Sequence, residues 1–202
     1  MKYLFVNSAT TNLEVAILID GKITYLYDEN VGQNTSSKLM PTVEEAFKKS
    51  NIKPRDIDKV FVVNGPGSFT GIRVGLTVCK TLSWALKIPV VPISSLEVMA
   101  SGYDENVISL IDARRGYVYA GGYDKDLNNI YKDRYTLLEN VEKNIKYVSY
   151  ESFSFSTAIP KLDVKKIINK HKDEEEINPH TLNPNYLKLT EAEEKRLNDK
   201  KS

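Results

Sequence analysis

The hydrophobic pattern of the first fifty residues predicts three short strands and a helix. Apolar and β-branched residues concentrate at 2–6, 13–19 and 23–27, and the Asp20-Gly21 pair between the second and third runs is a strong hairpin signal. From 36 to 49, apolar residues recur at helical spacing with Lys and Glu between them. The chain is therefore expected to open with three antiparallel strands, followed by an amphipathic helix.

The next forty residues alternate buried strands with helices. The run 59–63 is continuously apolar, as in a strand covered on both faces, and a helix is predicted from about 68 to 86. A second buried strand is predicted at 89–93, after which Ser94 and Glu97 have capping-box spacing for a third helix. The resulting order, βββ-α-β-α-β-α, is that of an α/β protein.

The rest of the chain is predicted to be mostly β structure with a polar tail. Strand-like runs occupy 107–111, 117–123, 130–138 and 145–150. From 161 onward Lys and Glu dominate, with four consecutive acids at 173–176 and a helical pattern at 191–201, so much of this tail is expected to be solvated. We place a domain boundary between an N-terminal unit, 1–103, and a smaller C-terminal unit, 104–202.

Composition and charge argue against three classes of protein: strong nucleic-acid binders, disulfide-bonded proteins and membrane-spanning proteins. The formal net charge of +1 argues against a strong, self-sufficient nucleic-acid binder, which usually needs a basic field. A single cysteine, Cys79, excludes an internal disulfide and favours a reducing compartment. No apolar run approaches the roughly 18 residues that a membrane span requires. We therefore expect a cytoplasmic protein without a membrane association.

The glycine-rich loop after the 59–63 strand has two interpretations. It follows a strand and opens a helix, so its free N–H groups can bind phosphate. However, it lacks the Gly-Lys-Ser/Thr ending of a P-loop, and its glycines are one residue off the dinucleotide fingerprint. In the second interpretation, Gly65 and Gly67 only permit a tight turn, and Ser68 or Thr70 caps the helix.

The helix after this loop is apolar around most of its circumference. One side carries Ile72, Leu76, Cys79 and Ser83, and another carries valines and small residues. A helix lying on one sheet needs only one apolar stripe, so the surplus indicates either a second core layer or a surface for another protein. The pattern alone does not choose between core and interface.

Residues suited to catalysis or metal binding are few. His171 and His180 both fall in the polar tail, and neither has a neighbour at metal-ligand spacing, so no metal site is predicted. Asp112 can be a base, a cation ligand or the opening residue of a turn. The arginines that can meet an anion, or can simply be solvated, are Arg73, Arg114 and Arg115.

The motif from 64 to 76, NGPGSFTGIRVGL, with IPVV at 88–91 and SSL at 94–96, resembles the TsaB (YeaZ) family. Supporting matches are SKLMP at 37–41, IDARRGYVY at 111–119, PNYLK at 184–188 and EAE at 191–193. The similarity extends over nearly the whole chain and is weakest between about 124 and 180. TsaB is the bacterial tRNA threonylcarbamoyladenosine (t6A) biosynthesis subunit, a degenerate relative of TsaD.

This resemblance implies an actin/Hsp70-like (ribonuclease H-like) α/β fold of two half-domains, the second reduced. It also implies a non-catalytic subunit that binds the catalytic subunit TsaD and the ATPase TsaE, pairs with itself when alone, and reaches tRNA only through the complex. It implies no cofactor of its own, with ATP or ADP possible at the complex interface. Family members pair through the first two helices, which makes the candidate partner-binding residues Met40, Val43, Phe47, Ile72, Leu76, Cys79 and Ser83. The loop residues Gly65, Gly67, Ser68, Thr70 and Arg73 are candidates for contact with a nucleotide or a partner.

Three departures from the superfamily pattern bear on function. The first strand ends in Asn7, where members that use ATP carry an Asp for the metal, and an amide brings no negative charge to a divalent cation. The segment 147–153 lacks the Gly-Asp-Gly turn of relatives and is not expected to approach a ligand closely. TsaD's HxxxH metal motif has no counterpart around residues 34–40. These departures weigh against the alternative function, an autonomous actin-like-fold ATPase or small-molecule kinase.

Overall fold

The computed structural model describes residues 1–174 and 177–188, which form nine strands and four α-helices. The first half contains strands β1 (Lys2–Asn7), β2 (Asn12–Ile19), β3 (Lys22–Asn30), β4 (Lys59–Gly65) and β5 (Val90–Ser94), with helices α1 (Thr35–Lys49), α2 (Phe69–Leu86) and α3 (Ser95–Ala100). The second half contains β6 (Val107–Asp112), β7 (Tyr117–Tyr123), β8 (Asn129–Leu137), β9 (Lys146–Val148) and α4 (Val164–His171). The predicted order βββ-α-β-α-β-α is confirmed.

The first sheet has the strand order β3-β2-β1-β4-β5. Strands β1, β2 and β3 pair antiparallel, whereas β4 runs parallel to both β1 and β5. The predicted hairpin is present, with Asp20 and Gly21 both at positive φ. Helices α1 and α2 contact each other as they cover neighbouring strands, so they lie side by side on one face of this sheet.

The second sheet has the order β8-β7-β6-β9. Helix α3 contacts β4 and β5 of the first sheet and β6 and β7 of the second, and therefore lies between the two sheets. One hydrophobic cluster joins residues of both halves, including Leu4, Ile93, Val107 and Ile167. This is the arrangement expected of an actin/Hsp70-like fold with a reduced second half.

The tail prediction needs correction. Residues 164–171 form α4, and Val164, Ile167 and Ile168 are buried in the main core. Its short amphipathic period is hidden in the sequence among lysines. Of these, Lys165 is exposed, whereas Lys166 and Lys170 are half-buried and donate hydrogen bonds within the chain. After α4, a segment that we call the strap, residues 177–188, lies along α2. The helical pattern predicted at 191–201 falls outside the described residues.

Among the helices of the described ranges, none combines the length and apolar character needed to cross a membrane.

Candidate functional site

A cleft of about 780 Å³ separates the two halves of the molecule. The turn after β1, the start of α1 and the glycine-rich loop before α2 form one wall. The end of β6, Tyr119 of β7 and residues 150–151 form the opposite wall. Three predictions therefore meet at this cleft: the glycine-rich loop, the end of the first strand and the Asp112 turn.

The end of β1 is closed by a buried polar network. The Asn7 amide nitrogen donates a hydrogen bond to Glu14 Oε2 at 2.9 Å, and its carbonyl oxygen accepts one from the backbone N–H of Ala9, also at 2.9 Å. The Tyr150 hydroxyl donates to Glu14 Oε1, again at 2.9 Å. Asn7 and Glu14 are almost completely buried. The side chain that replaces the superfamily carboxylate is thus fully engaged within the chain.

Glu14 was not among the predicted site residues. Its position inside the apolar run of β2 was nevertheless a signal, because a buried carboxylate needs a hydrogen-bonding partner. Burial raises the pKa of Glu14 to about 7, against the lowering effect of the Asn7 and Tyr150 hydrogen bonds. Burial and the charge of Glu14 also raise the pKa of the Tyr150 hydroxyl, so that group stays a hydrogen-bond donor. Tyr150 and Glu151 belong to the segment that was expected to lie away from any ligand, yet both line the cleft.

The glycine pattern is explained by close packing of the helix start against the turn after β1. A Cβ atom at Gly71 would overlap the carbonyl oxygen of Ser8, and one at Gly67 would overlap that of Ala9. Gly67 also has φ at +147°, a conformation that favours glycine. The Ser8 hydroxyl donates to the Gly71 carbonyl at 2.9 Å. Both glycines are therefore required by the fold whether or not a ligand binds.

Two backbone N–H groups of this loop, those of Ser68 and Gly71, donate to acceptors within the chain. Ser68 is the N-cap of α2, since its hydroxyl accepts the Gly71 N–H at 3.2 Å, and its own N–H donates to the Ala9 carbonyl at 2.7 Å. Gly65 is held against the strap, where the Asn185 N–H donates to the neighbouring Asn64 carbonyl at 2.8 Å. Thr70 is exposed at the cleft. The geometry supports the turn and cap interpretation of this loop.

Two arginines predicted to be anion candidates have different surroundings. The Arg73 guanidinium lies 3.9 Å above the Phe69 ring and donates from Nε to the Tyr186 hydroxyl at 2.9 Å. Arg114 lines the cleft, and its backbone N–H donates to Asp112 Oδ1 at 2.8 Å. Asp112 therefore opens a turn, as one of its interpretations proposed.

Glu151 completes this wall of the cleft. Its Oε2 accepts the Asp112 N–H at 3.0 Å, and burial raises the pKa of Glu151. Within 1–174 and 177–188, no three or more His, Cys, Asp or Glu side chains group closely enough to hold a metal ion.

The structure places most of the side chains that were predicted to face a partner in the core of the chain. Ile72, Leu76, Cys79 and Ser83 of α2 are at most 3% exposed, because this stripe packs on the sheet. On α1, Val43 and Phe47 are buried as well, whereas Met40 is 45% exposed. A core stripe and an interface stripe have the same composition, so sequence could not separate them. Burial also raises the pKa of the Cys79 thiol, as expected of a core residue.

The outward part of α2 has two distinct sides. The first side carries aromatic and charged residues that recur at helical spacing along the strap, namely Phe69, Arg73, Lys80 and Trp84. The second side is uncharged, consists of small residues, and is exposed or half-buried. We call it the uncharged stripe: Thr70, Val74, Thr77, Val78, Thr81 and Ala85.

A second polar cluster lies under α3, where sequence reasoning had placed only a capping box. Ser94 does cap α3 by accepting the Leu96 N–H at 3.2 Å, but Glu97 does not reach back to it. Instead Glu97 Oε1 lies 2.7 Å from His171 Nε2 and accepts from Lys170 at 2.9 Å. His171, predicted to lie in a solvated tail, is buried.

Comparisons with known proteins agree with this picture. The family model described as "TsaD: tRNA N6-adenosine threonylcarbamoyltransferase" matches residues 29–160. The protein of Bacillus subtilis (strain 168) named "tRNA threonylcarbamoyladenosine biosynthesis protein TsaB" is 30% identical to this chain over the full length of both. The Escherichia coli (strain K12) protein of the same name is 32% identical, over 65% of this chain and 58% of its own length.

A solved structure described as "YeaZ from Pseudomonas aeruginosa" superposes on this chain with a TM-score of 0.78 and 20% identity, covering 92% of this chain and 99% of that one. At this identity the likeness shows the fold. It confirms the α/β fold of two half-domains that the sequence predicted.

Proposed function

Because the chain belongs to the TsaB family of tRNA threonylcarbamoyladenosine biosynthesis proteins, we propose that it is a non-catalytic subunit of a threonylcarbamoyl-transferring complex. In this proposal it binds and positions the catalytic subunit TsaD and helps recruit the ATPase TsaE. TsaD then modifies the adenosine 3′ of the anticodon in tRNAs that read A-starting codons. The chain alone pairs with a second copy of itself.

The observation that carries this proposal is the state of Asn7. An ATP-using member of the superfamily presents a carboxylate at the end of its first strand, and here an amide is buried and hydrogen bonded to Glu14 and Ala9. The amide supplies no charge for a divalent cation. The nearest carboxylate, Glu14, is engaged by two donors from within the chain. The polar groups of this wall therefore hold the fold together, and they offer no free carboxylate for phosphoryl transfer.

A metal-bound nucleotide does not fit the residues that this chain alone supplies. Ser68 and Gly71 already direct their N–H groups to protein acceptors, and Pro66 has none. In our proposal any ATP or ADP lies at the boundary with TsaD, which contributes the missing ligands.

The uncharged stripe of α2 is the surface that we propose for the partner. It lies beside α1, whose exposed Met40 adds a flexible apolar side chain. Small residues allow a partner helix to approach closely, and the absence of charge keeps the desolvation cost low. A stable interface needs more than about 1,000 Å² of buried surface, which two helices from each partner can provide.

The test is co-expression with TsaD, followed by size-exclusion chromatography and reconstitution of tRNA modification with TsaE and threonylcarbamoyl-adenylate. We expect a heterodimer with the wild-type chain and loss of the heterodimer and of modification with Thr77→Arg/Thr81→Arg. The matched control, Ser152→Arg/Ser156→Arg, adds the same charge at exposed positions in the second half and should retain both. Modification that proceeds equally well without the chain would overturn the proposal.

The alternative of an autonomous ATPase or small-molecule kinase makes the opposite prediction. It requires metal-dependent ATP turnover by the purified chain without TsaD or TsaE. Turnover above that of an Asn7→Ala variant would favour that alternative, whereas we expect no difference between the two proteins.

A further inference from the structure

Acidic residues are absent from two segments that meet on the surface. Asp and Glu account for 27 of the 202 residues, yet none occurs from 59 to 96 or from 177 to 188. The first segment contains β4, α2 and β5, and the second is the strap. The four acids at 173–176 precede the strap in sequence, and Glu174 among them lies against His171. The chain as a whole is nearly neutral. The surface on which these two segments meet nevertheless receives no carboxylate from either of them.

The strap is fixed along the length of α2. Near the C-terminal end of the helix, the His180 ring packs edge-on against Trp84, with ring centroids 6.3 Å apart. In the middle, Lys80 Nζ donates to the Leu182 carbonyl at 2.8 Å. At the N-terminal end, Tyr186 stacks on Phe69, with ring centroids 5.3 Å apart. Helix and strap together therefore form one continuous surface.

Aromatic rings are exposed at both ends of this surface. Trp84 is 62% exposed and Phe69 is 55% exposed, although burying a large aromatic ring is strongly favourable in a folded chain. The two residues are fifteen positions apart along the helix, which corresponds to roughly 22 Å. Cationic groups lie between and beside the rings. We call this region the strap surface, formed by Phe69, Arg73, Lys80, Trp84, Lys87, Tyr186 and Lys188.

The aromatic part of the strap surface continues toward the cleft. Lys188 Nζ lies 5.5 Å from the centroid of the Tyr135 ring, and Tyr135 in turn stacks on Tyr117 at 4.7 Å. The turn before Tyr117 carries Arg114 and Arg115, both exposed. The nearby carboxylates, those of Asp112 and Glu151, belong to the cleft wall, where the backbone N–H of Asp112 donates to the Glu151 carboxylate.

We propose that the strap surface binds single-stranded RNA, with bases stacked on Trp84 and Phe69 and phosphates paired with the cations between them. Aromatic rings interspersed with cations, on segments 59–96 and 177–188 that carry no carboxylate of their own, are the chemistry that recognises a single-stranded polyanion with planar bases. The span between the two rings suits on the order of four extended nucleotides. The choice of RNA rests on the proposed function in tRNA modification.

The strap surface concentrates a few cations on a chain whose net charge is only +1. A few cations on one surface give weak, salt-dependent binding, which becomes effective when a partner subunit holds the same RNA. The uncharged stripe borders the strap surface on α2, since Thr77 lies one turn from Arg73 and Thr81 lies one turn from Trp84.

Trp84 is the sole tryptophan of the chain, so its fluorescence reports directly on the strap surface. The experiment titrates the full chain with an oligo(A) ribonucleotide of about 12 nucleotides and follows Trp84 emission. We expect quenching that weakens with salt between about 50 and 200 mM, with a slope of log K against log salt of about −2 for three phosphate contacts. Absence of quenching at the lowest salt would overturn the proposal.

Matched variants distinguish binding at the strap surface from attraction of RNA to positive charge anywhere on the chain. Lys87→Glu/Lys188→Glu removes two exposed cations at opposite ends of the surface, and the control Lys22→Glu/Lys125→Glu makes the same charge change elsewhere. We expect the first pair to weaken binding at least about tenfold and the control to change it less than about twofold. Equal losses in both would overturn the proposal.

A second pair tests the stacking. With labelled RNA and anisotropy as the readout, Trp84→Ala should weaken binding about tenfold, and Trp84→Phe should recover most of the lost affinity. The control Ile159→Ala removes another exposed apolar side chain and should have no effect.

The identity of the ligand is tested with polyglutamate. Quenching of Trp84 emission by polyglutamate equal to that by RNA would overturn the choice of RNA in favour of an acidic protein.

These readouts are independent of the proposed function, because TsaD association is scored by chromatography without RNA. Loss of the heterodimer with retained quenching counts against the proposed function alone. A normal heterodimer without quenching counts against the strap surface alone.

Discussion

The Tyr150 hydroxyl donates a hydrogen bond to Glu14 Oε1 across 136 positions of sequence. Glu14 lies in β2 of the first sheet, and Tyr150 follows β9 of the second. Since Glu14 also accepts from Asn7, the bond ties the end of the first strand to the opposite wall of the cleft. The polar network at the end of the first strand thus joins the two halves of the molecule.

The buried carboxyl of Glu14 should make stability depend on pH. Its pKa is raised to about 7 in the folded chain from the ordinary value of 4.5, so the folded state binds more protons than the unfolded state between these values. The stability present below pH 4.5 is therefore lost as pH rises through 7, by about 3 kcal/mol. Glu14→Gln should remove this loss in urea unfolding at pH 4.5, 6 and 7.5. The exposed control Glu29→Gln should follow the wild type, and a pH-independent difference between Glu14→Gln and wild type would contradict the burial.

Restoring a carboxylate at the end of β1 should destabilise the chain. Asn7→Asp replaces the donor that lies 2.9 Å from Glu14 Oε2 with a second acid. We expect a loss of about 3 kcal/mol at pH 8, and a smaller loss at pH 5, where one acid of the pair keeps a proton. Thermal unfolding measures both. Asn7→Ala is the control, because it removes the hydrogen bond without adding charge and should show little of this pH dependence.

The close contact between α2 and the turn after β1 should make Gly71 intolerant of a side chain. Gly71→Ala forces a Cβ atom against the Ser8 carbonyl and should cost about 1–3 kcal/mol in chemical denaturation. The neighbouring, exposed Thr70→Ala should cost much less. Equal stability of Gly71→Ala and the wild type would mean that the helix does not start against this turn.

Cys79 should be unreactive in the folded chain. It is fully buried, and burial raises the pKa of its thiol, so little nucleophilic thiolate forms at neutral pH. Because the chain has a single cysteine, labelling with iodoacetamide reports on this site alone. We expect labelling to occur at the rate of unfolding and to become rapid in urea. Immediate labelling under native conditions would show that this side of α2 is open to solvent.

His171 should stabilise the chain most at low pH. Burial lowers its pKa, but the hydrogen bonds and charges of Glu97 and Glu174 outweigh this effect, and the pKa is raised overall. The stabilising contribution is complete below the ordinary pKa of 6.5 and is lost as pH rises through the raised value. His171→Gln should therefore reduce the free energy of unfolding more at pH 6 than at pH 9. The exposed His180→Gln is the matched control, with a small effect at both pH values.

Local pattern was sufficient for the elements of the first half. The period of two, the period of 3.6 and the Asp20-Gly21 turn each fix backbone geometry within a few residues, and each predicted strand and helix there was found. The same holds for the helix cap, because Ser68 needs only its own next turn to accept the Gly71 N–H. The α4 helix was missed because two turns among lysines carry too short a pattern.

The sequence by itself also determined the family, through a glycine motif whose spacing follows from close packing against Ser8 and Ala9. What only the tertiary structure decided is which apolar stripe of α2 is covered, since Leu76 and Val78 are equally apolar and differ only in what lies opposite them. Likewise, Glu14 accepts a hydrogen bond from Tyr150, and Phe69 stacks on Tyr186. The partners in each pair are more than a hundred residues apart in sequence. Periodicity describes a helix or strand one at a time, whereas burial and long-range partners are properties of how these elements pack.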